Sequence, residues 1–103
     1  MSPSKVDRRF LNKLTDLPNI GISIAGDLQQ LGIYSPQDLV GRDPYAMHAE
    51  LNAITKIQHD PCIIDVFISV TRFMAGEAPR PWWDYSSERK HFLTCQDHAL
   101  IQI

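Results

Sequence analysis

A short turn between two segments with apolar patterning is the part of the sequence best suited to binding chemistry. Residues 17–33 read Leu-Pro-Asn-Ile-Gly-Ile-Ser-Ile-Ala-Gly-Asp-Leu-Gln-Gln-Leu-Gly-Ile. Asn19 and Gly21 are residue types that tolerate a positive φ, and a turn that uses such angles leaves successive backbone N–H groups pointing outward. These groups continue into the first turn of the next helix, where N–H groups lack intrahelical partners. The stretch therefore predicts an anion site suited to a nucleic-acid phosphate.

The donors and charges of this hypothesis come from two neighbouring segments. The backbone N–H groups would be those of Asn19, Ile20, Gly21, Ile22 and Ser23. Positive charge near the phosphate would come from the preceding segment, through Arg8, Arg9 and Lys13. Such contacts position a protein on DNA without reading its sequence. Two plainer interpretations stay open, because helical hairpins commonly turn at Pro and Gly and because charged residues commonly form a solvated helix face.

A dense aromatic cluster nearer the C-terminus offers a second kind of chemistry. Trp82, Trp83 and Tyr85 follow residues 79–81, Pro-Arg-Pro, whose prolines exclude regular structure. These rings could fold back and close the core. They could also form a platform on which bases stack or a peptide binds. The alternative function that follows is a protein-interaction module that has the same fold and has lost DNA binding.

Histidine and cysteine residues provide a metal site as a further alternative. Their spacing would suit Zn²⁺ if the C-terminal segment folded beside the helix that begins near residue 61. The candidate ligands are His59, Cys62, His91, Cys95 and His98. A histidine in a turn and a small buried cysteine are the plainer interpretation of the first two. We expect no metal and no other cofactor.

No arrangement of residues predicts catalysis. Cys62 and His59 could form a nucleophile and its base, but residues three apart at the start of a helix seldom have the required geometry. The acidic residues show no paired spacing, and the sequence contains neither a glycine-rich phosphate loop nor a Ser-His-Asp signature. We therefore expect a binding protein that is not an enzyme and has no small-molecule substrate.

Size and composition fit one small globular domain. The chain has 103 residues, and its formal net charge of −2 argues against a protein that coats DNA strongly, so that any basic footprint must be local. The two cysteines favour a reducing compartment over a disulfide scaffold. No apolar run reaches membrane-spanning length, and the N-terminal sequence lacks the apolar core of a secretory signal. We expect a cytoplasmic protein without a membrane partner.

Apolar spacing and capping residues predict an all-α fold around the candidate turn. Five short helices are expected, over about residues 5–15, 22–31, 35–40, 44–57 and 61–75. Asp43-Pro44 and Asp60-Pro61 are typical helix starts. The helix over 61–75 is apolar nearly all round, as in a buried central helix, although its β-branched run would also suit a strand. Gly26 lies inside a helical pattern and predicts the close approach of another helix.

The order of these elements sets the expected domain organisation. The helical domain is predicted to span residues 1–85. Residues 86–103 are predicted to form a C-terminal tail that includes a short helix through about residue 93. The turn at residues 58–61 is a second hairpin between helices, and we expect it to be structural because it lacks glycine.

Several motifs together resemble those of a known family of small bacterial proteins. They are Leu-Pro-Asn-Ile-Gly (17–21), Asp-Leu-x-x-Leu-Gly-Ile (27–33), Asp-Leu-Val-Gly-Arg-Asp-Pro (38–44), His-Asp-Pro-Cys-Ile-Ile-Asp-Val-Phe (59–67) and Pro-Trp-Trp (81–83). From about residue 5 to 90 the sequence is similar to the pathogenicity-locus proteins, some of which carry the label mitomycin resistance protein. The resemblance implies a helix-hairpin-helix (SAM-like) fold, related to modules of repair proteins that bind the DNA backbone, and a bacterial cytoplasmic source.

The candidate turn departs from the usual DNA-binding hairpin in two places. Such hairpins usually read Gly-x-Gly, often with a basic residue after the second glycine. Here Asn19 replaces the first glycine, and Ile22 and Ser23 occupy the positions where the basic residue often lies. The N–H geometry can survive with Asn, but a direct lysine contact with the phosphate is missing. The leading expectation is sequence-independent binding of the DNA backbone, accessory to DNA repair.

Overall fold

Helices and 3₁₀ turns are the regular structure of the part that the computed structural model describes, which is residues 11–101, with side chains described for residues 11–94. Its α-helices are α1 (Ile22–Gln30), α2 (Pro44–Thr55), α3 (Cys62–Met74) and α4 (Ser86–Ile101). Three 3₁₀ turns lie between or before them, at Leu14–Asp16, Pro36–Leu39 and Trp82–Tyr85. Residues 11–101 contain no β-strand. The prediction of an all-α fold is therefore confirmed, and the strand alternative for α3 is wrong.

Aspartate caps fix the starts of α2 and α3 where the sequence predicts them. The carboxylate of Asp43 accepts hydrogen bonds from the N–H groups of Tyr45, at 2.9 Å, and Ala46. The carboxylate of Asp60 accepts from the N–H group of Cys62 at 2.8 Å. These bonds satisfy donors that an uncapped helix leaves without partners. Both predicted helix starts therefore have an aspartate bonded to the backbone of the first helical turn.

The predicted helix over residues 5–15 is not an α-helix in its described part. Lys13 is extended, and only the 3₁₀ turn Leu14–Asp16 follows it. The carboxylate of Asp16 accepts from the N–H groups of Asn12 and Lys13, at 3.0 and 2.9 Å, and so starts a turn where we expected a helix to end. Residues 5–10 of that prediction lie outside the described residues.

The predicted helix over residues 35–40 is a single 3₁₀ turn, Pro36–Leu39. The carboxylate of Asp38 accepts from the N–H groups of Tyr34 and Ser35, which folds the segment tightly over its own start. Val40 is extended and Gly41 has a φ of 79°, so the chain turns away immediately. Capping was therefore predicted correctly, but the length of the element was not.

The C-terminal helix is longer than predicted. We expected a short helix through about residue 93, whereas α4 runs from Ser86 to Ile101. It starts directly from the preceding 3₁₀ turn. None of the helices in residues 11–101 combines the length and apolar character that crossing a membrane requires.

The core forms around α3, as its apolar sequence predicts. Residues from Leu14 to Phe73 form one buried cluster, and α3 supplies Val66, Phe67, Val70 and Phe73 to it. Burial of such side chains is the main favourable term in folding, at roughly 1.5–3 kcal/mol for each large apolar side chain. Gly26 does not mark a close helix approach, because a Cβ added there would meet nothing within 4 Å.

A buried ion pair joins α4 to α3. Asp65 is fully buried on α3, and its Oδ1 accepts from Nε of Arg89 on α4 at 3.0 Å. The hydroxyl of Ser86 donates to Oδ2 of Asp65 at 2.5 Å. The ring of Phe92 on α4 also stacks on Tyr45 of α2, with centroids 3.8 Å apart. Polar and aromatic contacts therefore hold the first turns of α4 against the body of the domain.

Candidate nucleic-acid interface

The candidate turn has the left-handed residue that the sequence predicts, but at one position instead of two. Asn19 has a φ of 66°, in the left-handed region that Asn tolerates better than most residues. Gly21 has a φ of −94° and a ψ of −177°, which is extended backbone that any residue adopts. Gly21 is the N-cap of α1, and N-cap residues take this conformation. The turn therefore depends on the backbone conformation of Asn19 and not on that of Gly21.

The side chain of Asn19 holds the turn against distant parts of the chain. Its Nδ2 donates to the carbonyl of Arg80 at 2.8 Å and to Oγ of Ser69 at 3.1 Å. The Ser69 hydroxyl donates to the carbonyl of Val66 at 2.6 Å, so it accepts from Asn19. One amide therefore fixes the turn to α3 and to the loop before Trp82–Tyr85. Neither partner was predicted from the sequence, although a serine inside the apolar run of residues 66–70 is a usable signal.

The start of α1 is open. Gly21 has no side chain to cap the helix, and no acidic residue lies in the first turn. Its carbonyl accepts from the N–H group of Ala25 at 3.0 Å, so the helix begins immediately. Gly21, Ile22 and Ser23 are exposed. The N–H groups of the first turn therefore face solvent at the positive end of a helix dipole.

This opening distinguishes α1 from the next two helices of the described chain. A carboxylate already occupies the start of α2, where Asp43 accepts two N–H bonds, and of α3, where Asp60 accepts one. In the second hairpin, before α3, the carboxylate of Asp60 therefore binds a backbone N–H group, whereas the corresponding groups of the first hairpin are exposed to solvent. The expectation that the second hairpin is structural agrees with this geometry.

Buried apolar side chains anchor the candidate turn to the core. Leu17, Pro18 and Ile20 are buried, and Leu17 and Ile20 are completely inaccessible. Ile20, which the sequence predicted as a donor, is therefore closed to a ligand with its backbone included, and the exposed positions of the turn are Gly21, Ile22 and Ser23. Ile22, in contrast, is 87% exposed and lies beside the open N–H groups. The turn is thus a rigid platform with a small exposed apex.

The predicted basic residues are only partly described. Lys13 is exposed and lies in the extended segment before the turn Leu14–Asp16. Arg8 and Arg9 lie outside the described residues. Lys13 precedes the open helix start by a short stretch of chain. Within the described residues, no direct contact joins its side chain to that helix start. The structure therefore places the backbone donors together but does not show the basic residues joining them.

Arg80 is a basic residue whose backbone contacts the turn, and it was not among the residues predicted from the sequence. Its carbonyl binds Asn19, but its guanidinium pairs with Asp84, with Nε 3.2 Å from Oδ2, and with Glu77, with Nη1 3.6 Å from Oε1. The hydrogen bond to Asp84 raises the pKa of Arg80 above its ordinary value. Two carboxylates thus balance its charge, so Arg80 contributes little positive potential to the turn.

The three aromatic residues predicted as a partner surface have separate roles. Tyr85 is 2% exposed, its hydroxyl donates to Oε1 of Glu77 at 2.8 Å, and burial raises its pKa to about 12. Trp82 is partly buried and packs against the main core. Trp83 is 60% exposed. Two of the three rings therefore close the core, and Trp83 alone faces solvent.

Among the residues with described side chains, no group of three or more His, Cys, Asp or Glu is arranged to hold a metal ion. His59 instead completes the turn after α2: the Thr55 hydroxyl donates to the carbonyl of Leu51, so it accepts from Nε2 of His59 at 2.9 Å. His91 is exposed on α4. The side chains of Cys95 and His98 lie outside the described residues.

Cys62 has the environment of a structural thiol. A hydrogen bond to Asp60, followed by burial, raises the pKa of Cys62 above its ordinary value. Reactive cysteines have a lowered pKa instead, because the thiolate is the nucleophile. Nη2 of Arg89 lies 3.8 Å from its sulfur. The surroundings of Cys62 therefore do not favour the nucleophile considered from the sequence.

Comparison with known proteins places both the turn and the aromatic segment inside one family match. The profile of the Pathogenicity locus family matches residues 7–91. Mitomycin resistance protein McrB of Streptomyces lavendulae is 35% identical over 85 residues, which cover 82% of this chain and 81% of that protein. No solved structure matches the chain. The chain therefore belongs to the pathogenicity-locus family, as the resemblance of its motifs predicts.

Proposed function

We propose that this protein binds the sugar-phosphate backbone of nucleic acid, without reading its sequence, at the turn before α1. The observation that carries the proposal is the open helix start at Gly21, with exposed N–H groups and no capping side chain. A helix start of this kind favours an anion through its unpaired donors and its dipole. The exposed backbone N–H groups of residues 21–23 bind one phosphate, and Arg8, Arg9 and Lys13 add positive charge.

We interpret the fold as a five-helix, SAM-like helix-hairpin-helix domain, which is the finer assignment that the family resemblance implies. The proposed role is accessory to DNA repair in the bacterial cytoplasm, and it requires neither a cofactor nor catalysis. A protein-interaction function is the weaker candidate, because two of the three residues selected for it take part in closing the core: Tyr85 is buried, and Trp82 is partly buried against the main core.

Charge sets the expected strength of binding. The net charge is −2, and Arg80 is balanced by its two carboxylate partners. For a site that neutralises one or two phosphates of duplex DNA, the slope of log K against the logarithm of the salt concentration is roughly −0.9 per phosphate. We therefore expect a Kd of about 10⁻⁴ to 10⁻⁶ M, in the range of non-specific binding, with a shallow slope.

Fluorescence anisotropy with labelled single-stranded, duplex and branched DNA, over a series of salt concentrations, tests the proposal. The expected result is binding that weakens as salt rises, with a slope that corresponds to one or two phosphates. The absence of binding to every DNA form at low salt would show that the proposal is wrong.

The substitution Gly21→Asp tests whether the open helix start is the site. An aspartate at this N-cap would accept the first-turn N–H groups itself, as Asp43 does at α2. The backbone already has the N-cap conformation, and an added Cβ meets nothing within 4 Å. We expect unchanged or slightly higher thermal stability together with at least a tenfold loss of DNA affinity.

Gln30→Glu is the matched control for charge. Gln30 is exposed at the last position of α1, so this change adds one negative charge at the opposite end of the same helix. We expect its effect on DNA affinity to stay within about twofold. Equal losses for Gly21→Asp and Gln30→Glu would mean that net charge, and not the helix start, governs binding.

A further inference from the structure

The exposed ring of Trp83 lies in a segment that is bound to the candidate turn. Nδ2 of Asn19 donates to the carbonyl of Arg80 at 2.8 Å, and Trp83 follows three residues later. Three residues span at most roughly 11 Å. The 3₁₀ turn shortens this distance further, since the N–H group of Asp84 bonds the carbonyl of Pro81 at 3.1 Å. Trp83 therefore lies in the short chain segment that Asn19 bonds to the turn before α1.

The ring of Trp83 is supported although its surface is exposed. It meets the ring of Trp82 edge to face, with centroids 5.6 Å apart and an interplanar angle of 83°. Trp82 in turn packs against the main core. Trp83 thus has a fixed neighbour on one side and is 60% exposed elsewhere. Its apolar area in solvent is not required to close the core, which Trp82 and Tyr85 already do.

We propose that Trp83 stacks on an unpaired base of the nucleic acid whose phosphate binds at Gly21, so that the protein prefers single-stranded over duplex DNA. This inference rests on the proposed phosphate site. An aromatic face stacks on any base, but only an unpaired base presents its face outside a duplex. A phosphate contact beside a stacking ring is the general arrangement of sequence-independent single-strand binding.

The charges around Trp83 do not favour a phosphate as its ligand. Asp84 follows it directly, and Arg80 is paired with both Asp84 and Glu77. The segment therefore offers no excess positive charge to a second phosphate. Stacking does not depend on counterion release, so the contribution of Trp83 to affinity persists as salt rises, whereas the phosphate contribution falls.

Anisotropy with a single-stranded oligonucleotide, its duplex and an abasic oligonucleotide of the same length tests this proposal. We expect the wild type to bind the single strand most tightly. Trp83→Ala lowers single-strand affinity about tenfold and duplex affinity less than twofold. The abasic oligonucleotide keeps the phosphates but lacks bases, so it binds wild type and Trp83→Ala equally. Trp83→Phe retains part of the single-strand affinity.

Tyr34→Ala is the matched control, because Tyr34 is an aromatic side chain that is 68% exposed beyond the other end of α1. It should change neither affinity. If Trp83→Ala weakens single strand and duplex equally, or weakens neither, the stacking proposal is wrong while the phosphate site stands. If the wild type binds no DNA, both the stacking proposal and the phosphate site are wrong. A Trp83 effect on the abasic oligonucleotide would also overturn stacking.

Discussion

Asn19 is the residue on which the candidate site depends most. It combines a left-handed backbone with a side-chain amide that binds α3 and the loop at Arg80. A glycine, which is usual at this position of DNA-binding hairpins, would supply the backbone angle but not the two hydrogen bonds. Asn19 therefore fixes the turn in one position relative to the core and to the aromatic segment.

Substitutions at Asn19 separate these two contributions. Asn19→Gly keeps the left-handed angle and loses the two hydrogen bonds, which we expect to cost about 1–3 kcal/mol in the free energy of unfolding. Asn19→Ala loses the bonds and adds the left-handed cost of roughly 1–2 kcal/mol, so it should be the less stable variant. Chemical denaturation measures both. Equal stabilities would show that the backbone angle is not a constraint at this position.

At the scale of elements, α4 is held by its contact with α3. Asp65 is fully buried, and Arg89 supplies its charged partner. Removing one member of a buried ion pair leaves an uncompensated charge, whereas replacing both by apolar residues is often neutral. The pair therefore specifies where α4 docks more than it adds net stability.

This view predicts different outcomes for single and double substitutions. Arg89→Met should lower the free energy of unfolding by about 3–5 kcal/mol, because Asp65 stays buried without its partner. The double variant Asp65→Leu with Arg89→Met should recover most of that loss. Lys90→Met, at the exposed neighbouring position, should stay within about 0.5 kcal/mol of wild type. A double variant as unstable as Arg89→Met would contradict the argument.

How far the sequence predicts these elements depends on the range of the contacts that build them. The starts of α2 and α3 were predicted because Asp43 and Asp60 act on the next turn of chain. Asn19 meets Ser69 and Arg80 across 50 and 61 residues, and such pairings cannot be read from local spacing. The residue types of the candidate turn were predictable, but its tertiary attachments were not.

The errors in the prediction have a similar physical origin. Apolar spacing does not distinguish one 3₁₀ turn from a short α-helix. The predicted helix over residues 35–40 is therefore longer than the observed turn Pro36–Leu39. For the aromatic cluster, both predicted roles stayed open, closing the core or forming a binding platform, because the sequence does not show which of the rings is buried. The structure divides the cluster: Tyr85 is buried and Trp83 is exposed.

For the whole molecule, carboxylates that accept hydrogen bonds from backbone N–H groups contribute to the response to acid. Asp16, Asp38 and Asp60 each have a pKa below its ordinary value, chiefly because backbone N–H groups of Lys13, Tyr34 and Cys62, respectively, bond to the charged form. A lowered pKa in the folded state means that the unfolded state binds more protons in acid. Their contribution is therefore present above the unfolded pKa and is lost as the pH falls below it.

Thermal denaturation as a function of pH tests this account of the caps. We expect Tm to be nearly constant from about pH 7 to 5 and to fall as the pH drops through about 4, the range in which an ordinary aspartate titrates. Asp38→Asn should lower Tm at neutral pH and flatten its decline in acid. A variant that declines as steeply as wild type would show that Asp38 does not contribute.

The central claim, that a phosphate binds the open N–H groups at the start of α1, is tested most directly by NMR. Amide resonances would be followed while a short single-stranded oligonucleotide is added to the ¹⁵N-labelled protein. The account predicts the largest shifts at Gly21, Ile22 and Ser23, reduced by salt and absent in Gly21→Asp. Binding whose largest amide shifts lie elsewhere, with these three unmoved, would contradict it.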